Sequence, residues 1–514
     1  MAKKSSKTII VGQDGRDDSF VYHVQNVRSL QDYKNMLQLA TIVYPKVPIA
    51  IIYTNSKWLK TMTSEEVLTF QELNSQLNVR SFVKVGKFKS KNASAVVSLL
   101  DIFDTFEEFE ESRFFEKVGV KVFFVLGDVE ETERVVDYIK GSTSHTVSLT
   151  KVKSITNNID VYRSFIKPQT KLMIMLKANA YGCGLVPIGR MTNVTGVDYV
   201  GVFSIDEGIE LRNNYIAVPI MVMNVHPEDF NLCLKYDLEA SIFNLDLLKE
   251  FVDRAEGRKC KIHLKVDTGM SRLGFNEMDD FEKALNLICQ HDNIKLVSVY
   301  SHLACSDEQE KDEKTEQQVS RYLEFCELAE NLLGYKFLKH ILNSAGVLRL
   351  PHYQFDMVRS GIGIYGGLNH MDKRLKTVRS LISEIISVKK IKAGQAIGYG
   401  SAAVFDEDKT IGVVPIGYAD GYRRIMGNGV GRVYINEHFA PVVGNICMDM
   451  FMVDLSGLDI KVGDAVEIFG ENIALEEIAE KWNTIPYEVL TSYSHRANKK
   501  YIIDFSEDTH GVYL

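Results

Sequence analysis

The chain has 514 residues, 45% hydrophobic and 25% charged, with a net charge of −8. That is the make-up of a globular protein of two or three domains. An acidic balance without a basic stripe argues against nucleic acid as a partner, and no apolar run reaches the roughly 18 residues of a membrane span. The seven cysteines lie between 183 and 447 without CxxC or metal-ligand spacing, pointing to a reducing cytoplasm, free thiols and no metal centre.

In chain order, residues 1–145 read as α/β. Apolar runs at 8–11, 49–53, 82–85 and 120–126 alternate with helical periodicity over 30–43, 64–77 and 105–117. A small Rossmann-like parallel sheet is predicted, ending at the polar break Gly141-Ser142-Thr143-Ser144. Residues 148–374 hold eight apolar runs: 171–177, 199–204, 219–224, 238–244, 261–267, 296–303, 340–344 and 356–361. Each ends in a turn and usually leads into a helical stretch, which predicts a (β/α)8 TIM-like barrel. Residues 375–514 carry strand-like runs at 410–415, 431–435, 440–443, 451–453 and 465–468 between Gly, Asn and Asp turns, predicting a mostly β C-terminal domain.

Barrels of this kind place their active sites at the C-terminal strand ends. Five runs deliver polar residues there: Lys177; Lys265 with Asp267 and Arg272; Ser301-His302; Asn343-Ser344; and Arg359-Ser360-Gly361. Lys177 ends the run KLMIMLK and precedes a Gly-punctuated turn. Burial lowers a lysine pKa and prepares the amine as a nucleophile. An aldehyde cofactor such as pyridoxal 5'-phosphate would take it as a Schiff base. Read alone, the segment serves a snorkelling surface lysine equally well; the cluster tips the balance, since charges near a barrel core are costly unless paired or bound to a ligand. Ser344 and the amides around Gly361 and Ile362 suit a phosphate. Arg359 is placed to face the ring nitrogen. A guanidinium keeps its proton, so it would leave that nitrogen unprotonated and favour plain proton exchange. His263 and His340, inside strands, read as satisfied structural histidines, and Asp267 as a cap for the turn at Gly269.

The motifs KANAYGCG, LKVDTGMSRLGF, YSHLACSDE, ILNSAG, VRSGIGIYGG, PIGYADGYRR and VGNICMDM, in this order over roughly 150–505, resemble alanine racemase. The resemblance implies a homodimeric fold-type-III pyridoxal phosphate enzyme that interconverts L- and D-alanine in the cytoplasm and supplies D-alanine for peptidoglycan. It implies Lys177 as Schiff-base lysine and one catalytic base, and Tyr418, from the partner subunit, as the other. Tyr418, His302 and Arg359 would form a hydrogen-bonded chain. Arg272 and the backbone of Met448 would meet the substrate carboxylate. Lys265 would be the lysine many members carry carbamylated, orienting Arg272. Tyr181 and Ser344, beside Asn343, Gly361 and Ile362, would hold the phosphate, and Asp449 would stand at the entrance. A racemase for serine or another amino acid is the alternative enzyme reading. A non-catalytic pyridoxal phosphate-binding or regulatory protein is the third, and Tyr418 argues against it.

Three departures stand out. Cys183 replaces a His or Ser, the lead-in 147–160 lacks the family's acidic strand, and His495 stands where a phosphate-binding tyrosine is usual. Residues 126–147 and the α/β units before them weakly resemble the C-terminal domain of the D-alanyl-D-alanine-adding peptidoglycan ligase, as in bacterial ligase–racemase fusions. The chain has no GxxxxGK(S/T) loop, so no ligase activity is expected.

Overall fold

The computed structural model describes residues 8–14, 20–25, 33–34, 36–37, 49–53, 70, 79–85, 101–103, 122–126, 146–193, 195–493 and 496–505. The chain divides into two units, Ser154–Thr377 and Met1–Lys153 with Val378–Leu514.

The first unit is the barrel. Its eight parallel strands are Lys171–Met175, Tyr199–Val202, Ile220–Val222, Glu239–Ile242, Cys260–Lys265, Ile294–Tyr300, Leu338–His340 and Met357–Ser360. Each overlaps one of the eight predicted runs, the seventh only at His340, and is shorter: the last residues of most runs leave the ladder to build the rim, while the fifth, sixth and seventh strands begin one or two residues before theirs. The order around the sheet is 7-6-5-4-3-2-1-8. Its ends are bridged by Asp356 N donating to Lys339 O at 3.0 Å and Arg359 N to Leu342 O at 3.1 Å. The second, third and fourth strands are buried at every residue, as helices on the outer face require. Helix Leu245–Ala255 turns Leu247, Leu248, Phe251 and Ala255 inward and is capped by the Asn244 side chain, which accepts from Leu247 N at 2.8 Å. Helix Ile205–Asn213 starts with a reciprocal Ser204–Glu207 capping box.

The second unit holds, among the described residues, a fifteen-stranded sheet to which both ends of the chain contribute. Thr8–Asp14 runs antiparallel to Asn498–Phe505, which lies parallel to Val147–Lys151, which in turn pairs antiparallel with Arg379–Glu384. The lead-in 147–151 thus closes the C-terminal β sheet before the chain enters the barrel. Buried Arg379 stitches this region, donating from Nε to Ser148 Oγ at 2.7 Å and from Nη1 to Leu490 O at 2.6 Å. All four predicted N-terminal runs carry strands, and Phe20–Gln25 and Asp101–Phe103 are added to them. Tyr33, Lys34, Met36, Leu37 and Phe70 are helical; the rest of the two stretches around them, and the whole of 105–117, lies outside the described residues. Among the described residues no helix is long and apolar enough to cross a membrane, and no cluster of His, Cys, Asp or Glu could hold a metal. All seven cysteines are free thiols.

Candidate active site

The first barrel strand stops at Met175, so Lys177 opens a turn instead of ending a strand. Ala178, Asn179, Ala180 and Tyr181 all have φ between 52 and 55°. Such a left-handed turn is disfavoured for L-residues because Cβ crowds the following carbonyl; small side chains at 178 and 180 and an asparagine at 179 limit the cost. The turn is clamped: Ala180 N donates to Leu176 O at 2.7 Å, Leu185 N to Asn179 Oδ1 at 2.7 Å, and Ala178 N to Glu207 Oε1 at 2.8 Å. Burial, then the nearby Arg272 charge, lowers the Lys177 pKa below the usual lysine range, while Glu207 pulls the other way. Glu207 escaped the sequence reading, although its capping-box spacing from Ser204 was visible there.

Beyond the fifth strand, Asp267 organises the next loop. Its Oδ1 accepts from Gly269, Met270 and Ser271 N at 2.9–3.0 Å and its Oδ2 from Arg272 N at 3.0 Å. Burial pushes this carboxyl up, but the four N–H donors prevail and hold it low. The loop presents Arg272 to solvent, and its side chain makes no hydrogen bond among the described residues. Lys265 has its pKa brought down to about 8 by burial and by the Arg272 and Arg359 charges.

Arg359, 4% exposed, is the best-anchored cation of the rim. Nη2 donates to Ser301 O at 2.6 Å, Ile341 O at 3.1 Å and His302 Nδ1 at 3.4 Å, and Nη1 to His340 Nδ1 at 2.6 Å. Nε has no protein partner among the described residues. Burial and then the Arg359 charge keep His302 well below the usual histidine range, so its ring is neutral.

After the seventh and eighth strands, Ser344 Oγ accepts from Gly361 N at 2.8 Å and lies 3.2 Å from Ser360 Oγ. Asn343 accepts from Gly346 N at 3.0 Å and Ser306 Oγ at 2.6 Å, which pins this loop. Tyr181 stacks on Tyr365 with centroids 4.6 Å apart. A Cβ on Gly361 would lie 2.2 Å from the Tyr181 hydroxyl, so glycine leaves the cradle open. Hydroxyls and a glycine amide converge there, as an anion needs.

Tyr418, Met448 and Asp449 belong to the other unit. Two loops clasp each other there: Tyr418 N donates to Cys447 O at 3.1 Å and Ala419 N to Met448 O at 3.0 Å. A Cβ on Gly417 would fall 2.2 Å from Met448 O, so only glycine permits the approach. Tyr418 is 44% and Met448 53% exposed, and Asp449 pairs with Arg496 at 2.7 Å. His495 lies outside the described residues.

A cofactor that bonds an amine at one end and carries an anion at the other would use the barrel rim in full: Lys177 for the bond, Arg359 Nε for a ring nitrogen, Ser344 and Gly361 for the anion. Fold and site together define a class, the barrel-based pyridoxal phosphate enzymes. Comparison narrows it. Residues 151–369 match the model of the alanine racemase N-terminal domain and residues 378–501 that of the alanine racemase C-terminal domain. The chain belongs to the alanine racemase family. It is 38% identical over 342 residues to alanine racemase of Clostridium novyi, covering 64% of this chain and 88% of that one. With alanine racemase 2 of Caldanaerobacter subterraneus it shares 33% over 361 residues, covering 68% and 92%. The solved alanine racemase of Clostridium difficile 630 superimposes with a TM-score of 0.65 at 32% identity, covering 72% of this chain and all of that one.

Proposed function

We propose that in this L-alanine/D-alanine racemase Lys177 and Tyr418 are the two groups that carry the α-proton, and that Tyr418 serves the site of a second copy of the chain. Inverting a carbon requires a proton to leave from one face and another to return on the opposite face, so two separately placed groups are needed. Bound pyridoxal phosphate supplies the carbon that bonds the substrate amine and a ring that draws charge from the α-carbon. Lys177, its pKa lowered by burial and by the Arg272 charge, offers its amine for one face. His302, neutral and accepting from Arg359 at Nδ1, keeps its proton on Nε2 and donates it to the Tyr418 phenol oxygen, which steadies the anion. Arg272 holds the substrate carboxylate together with the Met448 backbone. Tyr181, Asn343, Ser344, Gly361 and Ile362 hold the phosphate. Lys265, with a pKa of about 8, is reactive toward carbon dioxide, and a carbamate there would turn its repulsion of Arg272 into attraction. Asp449 stands at the entrance.

The second copy is supported by an exposed group of large side chains on linked loops: Tyr399, Tyr418, Met448 and Met450, each at least 40% exposed. Exposed apolar surface of this kind suits a chain–chain contact. The observation that carries the whole proposal is Lys177, whose amine has its pKa lowered by burial and the Arg272 charge and which opens the left-handed turn just past the first barrel strand. Mixing two inactive variants, Lys177→Ala and Tyr418→Phe, tests it. If the site is shared, mixed dimers regain one intact site, about a quarter of wild-type activity for random pairing. No recovery after subunit exchange would overturn the shared site.

A further inference from the structure

Inside the barrel a file of polar side chains runs back from Arg359, and its other members take no part in the chemistry above. His340 Nδ1 accepts from Arg359 Nη1 at 2.6 Å, and His340 Nε2 lies 2.8 Å from Ser298 Oγ. Ser298 Oγ lies 2.6 Å from His263 Nδ1, and His263 Nε2 lies 3.0 Å from Glu239 Oε2. Glu239 Oε1 pairs with Lys261 Nζ at 3.1 Å. Glu239, His263, Ser298, His340 and Arg359 come one each from the fourth to the eighth strands, and none is more than 4% exposed. Glu239 begins its strand, at the end opposite the rim.

The two ends set every proton between them. A guanidinium only donates, so His340 Nδ1 is bare and the ring proton sits on Nε2. That N–H goes to Ser298 Oγ, whose single hydrogen is left for His263 Nδ1. His263 therefore also carries its proton on Nε2, facing a carboxylate that only accepts. Reversing any member would set two donors or two acceptors against each other in a dry core. Burial pushes the Glu239 carboxyl up, but His263 and Lys261 overcome this and hold it low, so it stays anionic. Burial and Arg359 keep His340 neutral.

We infer that Glu239 is a positioning residue for Arg359: it anchors and polarises the file, so that His340 is held with its bare Nδ1 against the guanidinium. The inference rests on the placement of Arg359 Nε toward the cofactor ring proposed above. The test is Glu239→Gln in the holoenzyme, which keeps shape and removes the charge, with Ser298→Ala as a second cut and Ser298→Thr as its rescue. Imidazole proton and nitrogen NMR should show both histidines as Nε2–H forms in the wild type, with the His340 Nε2–H signal moved upfield in Glu239→Gln and Ser298→Ala. The kcat for alanine should fall about tenfold with KM little changed, the lower end of what metal-bound imidazoles show when they lose an outer partner, and Ser298→Thr should recover it. An Nδ1–H form of His340 in the wild type, or an unshifted His340 signal and unchanged kcat in both cut variants, overturns the inference. Arg359→Lys separates it from its premise: if that variant leaves kcat and the cofactor absorption unchanged, the placement of Arg359 is what fails.

Discussion

The rim crowds cations against one another. Lys177, Lys265, Arg272 and Arg359 face a common space, and carboxylate relief is scarce: Asp267 is taken up by backbone N–H groups, and Glu207 by the amides of Ala178 and Phe203. Lys265 shows the consequence. Its pKa in the folded chain is about 8, against 10.5 for the free side chain. A base whose pKa is lowered by folding costs stability below the folded value, where the proton must be taken up against burial. The cost fades as pH rises from about 8 toward 10.5, where neither state stays protonated. Lys265→Met should therefore raise the melting temperature at neutral pH in carbon dioxide-free buffer, with the gain shrinking over that window. Thermal denaturation at several pH values checks this; an equal gain at neutral pH and at pH 10.5 would contradict it.

At the scale of the element, the turns that follow the strands decide the site. The left-handed turn at 178–181 and the Gly361 turn are packed face to face through Tyr181. Gly361→Ala places a methyl where the Tyr181 hydroxyl lies, and such overpacking costs about 1–3 kcal/mol. We expect weaker cofactor retention and lower stability, partly restored when Tyr181→Phe removes the clashing oxygen. Chemical denaturation and cofactor titration of the single and double variants measure both. If Tyr181→Phe brings no recovery, the clash is not the cause.

On the scale of the whole molecule, the first 145 residues extend the sheet that the C-terminal residues build. Thr8–Asp14 covers one edge of Asn498–Phe505, whose other edge is taken by Val147–Lys151. We propose that this module serves as a stabilising or docking remnant without ligase activity. Deleting 1–145 should spare racemisation but bare a ladder of unpaired N–H and C=O groups, lowering the melting temperature and promoting association. Calorimetry and light scattering would register the change. An unaltered melting temperature, or ATP-dependent peptide-bond formation by the intact chain, would count against this role.

Much of this was readable without coordinates. Eight apolar runs with helical spacers foretold eight parallel strands, because side-chain periodicity and burial are local properties of the chain. The same runs located the rim, since residues just past a parallel strand must lie at its C-terminal end. Handedness was not readable: nothing in Ala178-Asn179-Ala180-Tyr181 announces φ above 50° at four positions, because clamping groups such as Glu207 come from elsewhere in the chain. His263 and His340 were recognised as satisfied, but not that Glu239, Ser298 and Arg359 satisfy them in one file. The sequence by itself determined the elements, their order and the residue types brought to the barrel mouth. Tertiary structure alone decided which side chains meet across five strands and that both chain ends share one sheet, because register between distant segments is set by barrel closure and strand pairing, which no local pattern encodes.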